Sequence, residues 1–271
     1  MRIGLISDVH FGPSASHDGK LRKLAQYSAP LTQAFVKQMN EVEKPDLVIN
    51  LGDVVEDQSP EADRESCREF LRLVAPLEAP LLHVAGNHES VNLTDAELAT
   101  LWQHEGPLCY SRDVAGVHVT VLRTRHRREI DVHLPPEQIA WLRADLAEAR
   151  YPVFVAVHHP LSDMCLKGNR WFEQTPNICH VVEARTARRV LEESGKVVAV
   201  FNGHVHWNHL DVIRGIPYIT IQSLIENIDE DAPGRAAGTY AVADIDEQRL
   251  LVRVLGEQPA RYQFELEPRT G

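Results

Sequence analysis

The chain has 271 residues, of which 44% are hydrophobic and 25% are charged, and its formal net charge is −11. This composition is typical of a soluble globular protein, and the length allows an ordinary hydrophobic core in one large domain. The negative charge argues against nonspecific electrostatic binding to nucleic acid or to an anionic membrane surface.

The spacing of the cysteines and the short apolar runs favour a cytoplasmic location. Cys67, Cys109, Cys165 and Cys179 form neither a CxxC pair nor the spacing of a zinc ribbon, so we expect reduced thiols and a cytoplasmic location. The first residues run directly into a strand-like segment and not into a secretory signal, which favours the same location. No apolar run approaches the ~20 residues that span a bilayer, so we expect no membrane segment.

Short apolar runs alternate with segments of helical periodicity in the part of the chain before residue 208. Continuous apolar runs of four or five residues are typical of strands that are covered on both faces. The predicted strands are Ile3–Ile6, Leu47–Leu51, Leu81–Ala85, Val153–Val157 and Val197–Phe201. The predicted helices are Leu21–Val42, Glu61–Leu77, Pro135–Ala149 and Val181–Ser194. This alternation predicts an α/β architecture.

The remainder of the chain contains strand-like segments and no long helix. These segments are His209–Ile213, Tyr218–Gln222, Thr239–Asp246, Leu250–Leu255 and Tyr262–Leu266. Earlier in the chain, Val117–Leu122 is a candidate hairpin partner of Leu108–Asp113. We therefore expect the later segments to add strands to a mixed core, and we expect a single domain over residues 1–271.

Polar side chains follow each of the five buried strands, at the point where the strand ends. They are Asp8 and His10, then Asp53, then Asn87 and His88, then His158 and His159, and finally His204 and His206. Each motif alone is compatible with a cap, a turn or a solvent-exposed side chain. Ligands of open α/β sheets bind beyond the carboxyl ends of the strands, so we expect all five groups to meet at one edge of one sheet, in one metal or catalytic site.

The chemistry of these residues indicates a class of metal. The set contains oxygen and imidazole donors and no thiolate, which disfavours a purely structural zinc site. It suits manganese, iron or zinc in a site with two metal ions. Two ions need a shared carboxylate, and Asp53 is the natural bridge because it stands centrally in the ligand order.

The order of the motifs resembles the calcineurin-like metallophosphoesterase superfamily. The motifs "DVH", "GD", "GNHE", "HHP" and "GHVH" occur here in the order of that family, between residues 8 and 206. The resemblance implies two mixed β-sheets packed face to face and flanked by helices, a four-layer fold. It implies that one metal is held by Asp8, His10, Asp53 and His206. The other would be held by Asp53, Asn87, His158 and His204.

The resemblance also implies roles for the neighbouring side chains. His88 would contact the phosphate and protonate the leaving oxygen, and Asn87 and His159 would also lie against the substrate. "HHP" leaves a choice between His158 and His159 as ligand, and the family pattern favours His158. Glu89 is expected to brace the site. Asp57 or Glu56 could do the same, but surface charge is the favoured interpretation of both.

A long loop, Asp163–His180, is the candidate for substrate selection. Its Arg170 and Trp171 could hold a phosphate and stack on a base, with Trp171 and Phe172 pinning the loop to the body as the alternative.

The function that this resemblance implies is hydrolysis of a small phosphate diester by a hydroxide that bridges two metal ions. Among family members, the chain looks most like bacterial class III cyclic-nucleotide and glycerophosphodiester phosphodiesterases. A phosphomonoesterase or protein phosphatase, and a non-catalytic scaffold, are the alternatives. We expect a small-molecule phosphate ester as partner, no nucleic acid and no membrane, and a homo-oligomer is compatible with the sequence.

Overall fold

The computed structural model describes residues 1–229 and 232–266, and most of the strands lie in two six-stranded sheets. The strands are β1 (Arg2–Ile6), β2 (Ala15–His17), β3 (Lys20–Lys23), β4 (Leu47–Asn50), β5 (Leu81–His83), β6 (Tyr110–Val114), β7 (Val117–Val121), β8 (Arg125–Arg127), β9 (Asp131–His133), β10 (Val153–Ala156), β11 (Val197–Asn202), β12 (His209–Ile213), β13 (Ile216–Thr220), β14 (Tyr240–Ile245), β15 (Arg249–Leu255) and β16 (Ala260–Glu265). The helices are α1 (Ser28–Gln38), α2 (Pro60–Val74), α3 (Glu89–Asn92), α4 (Asp95–Leu101), α5 (Pro136–Glu148) and α6 (Ala184–Ser194).

Both large sheets are mixed, as the sequence predicts. The first has the order β16-β15-β14-β1-β4-β5, with β1, β4 and β5 parallel and β14, β15 and β16 antiparallel. The second has the order β12-β13-β11-β10-β7-β6, with a parallel centre and an antiparallel strand at each edge. The pairs β2–β3 and β8–β9 form small separate hairpins.

The main core lies between the two sheets, which pack face to face. Buried side chains of the first sheet, such as Leu5 and Ile49, belong to one cluster with those of the second, such as Phe154 and Phe201. Helices α1 and α2 cover the outer face of the first sheet, and α5 and α6 cover the outer face of the second. This arrangement confirms the predicted four layers. In the described part of the chain, no helix is both long and apolar enough to cross a membrane.

The helix predicted over Leu21–Val42 is wrong at its beginning. Residues 20–23 pair with Ala15–His17 as a hairpin, and the helix begins only at Ser28. Contacts with a distant segment explain the difference, because the Leu24 N–H donates to the Ile225 carbonyl at 3.0 Å and the Asn227 side chain donates to the Leu21 carbonyl at 2.9 Å. These long-range hydrogen bonds outweigh the helical spacing of the apolar residues, which is only a weak preference.

Candidate metal centre

The ends of five strands, β1, β4 and β5 of the first sheet and β10 and β11 of the second, bring their polar side chains together. The expectation that all five ends lie at one edge of a single sheet is therefore wrong, because the site is shared by two packed sheets. Asp8, His10, Asp53, His158, His204 and His206 are all buried there, and Asn87 is partly buried. Their ligand atoms fall into overlapping groups within 4.8 Å, among them Asp8–His10–His206 and Asp8–Asp53–His158. The structure therefore brings together the residues that the sequence analysis singled out.

The backbone is strained at most of these positions. Asp8, His10, Asp53, His204 and His206 have φ angles between 48° and 67°, in the left-handed region that residues other than glycine rarely adopt. Such conformations persist where the surrounding structure imposes them, and they cluster at functional sites. Here they turn the side chains at the strand ends toward one another.

Two glycines of the motifs allow the strand-end loops to approach closely. A Cβ atom at Gly203 would collide with the Ser7 hydroxyl and with a carboxylate oxygen of Asp8, and one at Gly86 would collide with Asp53 Oδ1. The "GH" and "GN" positions therefore accept only glycine without displacing a proposed metal ligand.

In the first ligand group, two imidazole nitrogens face each other. Nδ1 of His10 lies 2.7 Å from Glu56 Oε2, and Nδ1 of His206 lies 2.7 Å from Glu226 Oε2. Because a carboxylate only accepts hydrogen bonds, both Nδ1 atoms are donors, and the neutral rings present bare Nε2 atoms. These Nε2 atoms are 3.2 Å apart, with Asp8 Oδ1 3.5 Å from that of His206. In the neutral rings, two lone pairs at this separation fit a cation between them, and a proton on His206 fills that place when no metal is bound.

In the second ligand group, which contains Asp53, Asn87, His158 and His204, the His158 ring contacts two oxygen atoms that could bind a metal ion. Its Nδ1 donates to the Leu51 carbonyl at 2.8 Å, and its Nε2 lies 3.1 Å from Asp53 Oδ2 and 3.0 Å from Asn87 Oδ1. The Nε2 of His204 donates to the Ile178 carbonyl at 3.2 Å, which leaves the lone pair of Nδ1 available to a metal ion. Backbone carbonyls thus orient both histidines of this group.

The buried carboxylates and imidazoles of the centre balance one another's charge. Burial alone would raise the pKa of Asp53, but the charges of His158 and His88 hold that pKa well below its usual range. Burial would lower the pKa of His158 and of His206, but the charge of Asp53 raises the pKa of His158 to about 9. The hydrogen bonds that His206 donates to Asp8 and Glu226 raise its pKa to about 9. Protons therefore occupy these histidines where no metal competes for them.

His159 is also buried beside the second group, so both histidines of "HHP" remain in contact with the site. Nδ1 of His159 lies 2.8 Å from the Thr124 hydroxyl, whereas its Nε2 has no partner among the described residues. His159 forms a possible ligand group with His158 and His204. His158, however, has the close contacts with Asp53 and Asn87, and these favour it as the ligand.

His88 lies at the more open side of the centre. Its Nδ1 is 2.9 Å from Asp57 Oδ1, and its Nε2 lies 3.9 Å from Asp53 Oδ2. Its side chain is 20% exposed, so a substrate can reach it. Asp57 therefore orients a site residue, and its interpretation as surface charge is wrong.

Glu89 holds together the loops that follow β4 and β5. It is fully buried, and its carboxyl oxygens accept hydrogen bonds from the backbone N–H groups of Asp53, Val54 and Gly86. Burial and the nearby Asp53 raise its pKa to about 7. Its position agrees with the supporting role that the sequence analysis gives it.

Three further residues of this region are missed or misread by the sequence analysis. Glu56, interpreted as a surface charge, is mostly buried and contacts both His10 and Lys23. Lys23 and Glu226 are buried beside the centre but belong to none of the recognised motifs. Their only sequence signal is a charged residue inside an otherwise buried stretch, which is weak evidence by itself.

In the long loop Asp163–His180, the two residues predicted to contact the substrate already have partners within the protein. Arg170 donates to the Asn227 carbonyl at 3.0 Å, and the Trp171 indole N–H lies 3.2 Å from Glu226. The Trp171 ring packs against His17 and His206, and Phe172 stacks on His204 at 4.5 Å. These contacts favour the alternative that the aromatic residues pin the loop over the centre.

Comparison with known proteins identifies the family. A family model described as calcineurin-like phosphoesterase matches residues 1–208, which include every proposed metal ligand. The chain belongs to the calcineurin-like phosphoesterase family. In a structure comparison, a dimetal phosphatase from Danio rerio superposes with a TM-score of 0.75 over 97% of this chain and 98% of that chain, at 18% identity. This similarity supports the family's fold.

Two curated relatives carry the name "Probable cyclic nucleotide phosphodiesterase". The one from Synechococcus sp. is 32% identical over 116 residues, 43% of this chain and 43% of its own length. The one from Rhodococcus erythropolis is 24% identical over 177 residues, 64% of this chain and 56% of its own length. The chain thus spans about half the length of the curated relatives that it matches.

Substitution of Glu226, whose carboxylate holds the His206 ring, tests the first ligand group directly. We expect Glu226→Gln to weaken Mn²⁺ binding roughly 10- to 100-fold, since a carboxylate that holds a ligating histidine contributes this much to metal affinity. Glu183→Gln is the matched control, because Glu183 accepts from His133 Nδ1 at 2.8 Å outside the centre. Calorimetric titration of both metal-free variants measures the effect. Equal Mn²⁺ affinity in the two variants would contradict the assignment of His206 as a ligand.

Proposed function

We propose that the chain is a binuclear metal-dependent phosphodiesterase that hydrolyses a small phosphate diester. Membership of the phosphoesterase family supports the hydrolysis of phosphate esters. The preference for diesters is supported by the names of the two curated relatives. The oxygen and imidazole donors suit manganese, iron or zinc.

The single observation that carries the proposal is the facing pair of His10 and His206 Nε2 atoms at 3.2 Å, each with its Nδ1 held by a carboxylate. The chain has oriented both lone pairs toward one point, which fits a metal ion there. A non-catalytic scaffold would not need this arrangement.

We assign Asp8, His10, Asp53 and His206 to one metal ion, and Asp53, Asn87, His158 and His204 to the other. Asp53 is assigned as the bridge because it is 3.1 Å from His158 and belongs with Asp8 to one ligand group. When bound, the two metals supply an activated water and neutralise phosphate charge.

His88 is assigned as the proton donor to the leaving oxygen. Asp57 fixes the ring through Nδ1, which directs Nε2 toward the space beside Asp53. A proton donor must lie within hydrogen-bond reach of the group that leaves, and the partial exposure of His88 permits this contact. His159 and Asn87 line the same space and are proposed to contact the substrate.

A pair of aryl esters tests the preference for diesters. We expect the Mn²⁺-loaded protein to hydrolyse bis(p-nitrophenyl) phosphate with a kcat/KM at least about tenfold above that for p-nitrophenyl phosphate, a difference of ~1.4 kcal/mol in transition-state binding. The same assay after treatment with a chelator is the control. A higher kcat/KM for the monoester would replace the proposal with the alternative, a phosphomonoesterase.

A further inference from the structure

Lys23 is a buried lysine at the edge of the candidate metal centre. It is the last residue of β3, and only 4% of its surface is exposed. Lysine is rarely buried unless an anion partners it. Here Nζ lies 2.8 and 3.0 Å from the two carboxylate oxygens of Glu56. The hairpin β2–β3 thus carries a fixed positive charge to the centre.

The hydrogen bonds of Lys23 leave one donor directed toward His88. An ammonium group has three N–H donors, and the oxygens of Glu56 account for two of them. His10 Nδ1 lies 3.4 Å away but already donates to Glu56, so it cannot accept. The remaining neighbour is Nε2 of His88, also at 3.4 Å. The Trp171 ring, 5.3 Å away, restricts the ammonium further.

The Lys23 ammonium lies among three side chains that could together bind a metal ion. His10, Glu56 and His88 bring ligand atoms within 4.8 Å of one another, and Nζ lies within 3.4 Å of an atom of each. The chain therefore fills this position with its own cation. It lies next to the two positions that we assign to metals.

We propose that Lys23 is a further substrate-binding residue, whose ammonium donates to a phosphate oxygen beside His88 Nε2. This inference rests on the proposed phosphoesterase function. When His88 carries the proton that it gives to the leaving oxygen, its Nε2 and the Lys23 Nζ are two donors 3.4 Å apart, and both can reach a common oxygen atom at normal hydrogen-bond distances. A charge-assisted hydrogen bond is roughly twice as strong as a neutral one, and a fixed cation stabilises charge that develops on the phosphate.

The test compares phosphate binding by variants loaded with Mn²⁺. We expect Lys23→Met to bind inorganic phosphate roughly 10- to 100-fold more weakly than the wild type in calorimetric titration, with unchanged metal content by elemental analysis. Lys23→Arg keeps the charge and is expected to recover most of the affinity. The control is Lys37→Met, which removes a lysine whose side chain is 73% exposed on α1 and should bind phosphate normally.

A second variant separates a direct contact from an indirect effect of packing. In Lys23→Ala the missing atoms correspond to propylammonium, and we expect millimolar propylammonium to restore phosphate binding while propanol does not. Wild-type phosphate affinity in Lys23→Met would overturn the inference. A loss that tracks metal loss, or one that neither arginine nor propylammonium relieves, would also overturn it.

Failure of this inference is distinguishable from failure of the proposed function. If the wild type binds Mn²⁺ and hydrolyses the diester while Lys23→Met binds phosphate normally, only the role of Lys23 is refuted. If the wild type neither binds Mn²⁺ nor hydrolyses either ester, the proposed function is refuted and Lys23 has no phosphate to bind.

Discussion

Replacement of His88 by asparagine is expected to lower kcat on the diester by about 10²- to 10⁴-fold while the metal content stays unchanged. The reason is that His88 is held by Asp57 at 2.9 Å and is not one of the proposed ligands. The loss should be largest on esters with poor leaving groups, because these need the proton most. Rates on a series of aryl diesters, with elemental analysis of each preparation, measure both effects.

The control for this prediction is a second histidine–carboxylate pair. His133 belongs to the hairpin β8–β9, and its Nδ1 lies 2.8 Å from Glu183 Oε1, outside the centre. His133→Asn should therefore retain the wild-type rate. An equal loss in His88→Asn on good and poor leaving groups would argue against the proton-donor role. It would instead assign His88 to binding the phosphate.

Replacement of Asp53 by asparagine is expected to reduce metal content at both positions and to lower diesterase activity at least about 10³-fold. Both effects follow because Asp53 is the shared ligand in our assignment and because its carboxylate is buried against His158. A factor of this size is a small part of the ~10⁶-fold or greater acceleration that enzymes usually provide. Elemental analysis and the diester assay on the same sample measure it.

A partly buried carboxylate outside the centre provides the matched control. Asp145 contacts His118, Ser111 and Thr120, so Asp145→Asn removes a comparable charge without touching a proposed ligand. We expect this variant to keep its full metal content where it folds, which circular dichroism can establish. Full occupancy of both positions in Asp53→Asn would contradict the bridge assignment.

The sequence predicts the strands and their polar ends well because both depend on local patterns. Apolar runs such as Val153–Val157 coincide with central strands, and the residue types that follow them are strong ligands. The carboxyl ends of parallel strands share one edge of a sheet, so the meeting of Asp8 and Asp53, which follow β1 and β4, is expected from topology. His158 follows β10 of the second sheet and joins them because the two sheets pack face to face.

What the sequence does not reveal depends on contacts between distant segments. Lys23 reaches Glu56 because the hairpin β2–β3 packs against residues 225–227. The hairpin is not predicted because the helical spacing of apolar residues over Leu21–Val42 indicates a helix there. Glu226 is a charged residue that follows an ordinary apolar segment, and this weak signal does not distinguish it from a surface glutamate. Its importance comes from the 2.7 Å contact with His206.

The most direct test of a two-metal phosphodiesterase is a titration of the metal-free wild-type protein with Mn²⁺, followed by hydrolysis of bis(p-nitrophenyl) phosphate. The proposed ligand sets predict that activity is absent without metal and reaches its plateau only when two equivalents are bound per chain. Full activity in the presence of a chelator, or a plateau at one bound equivalent, would contradict them.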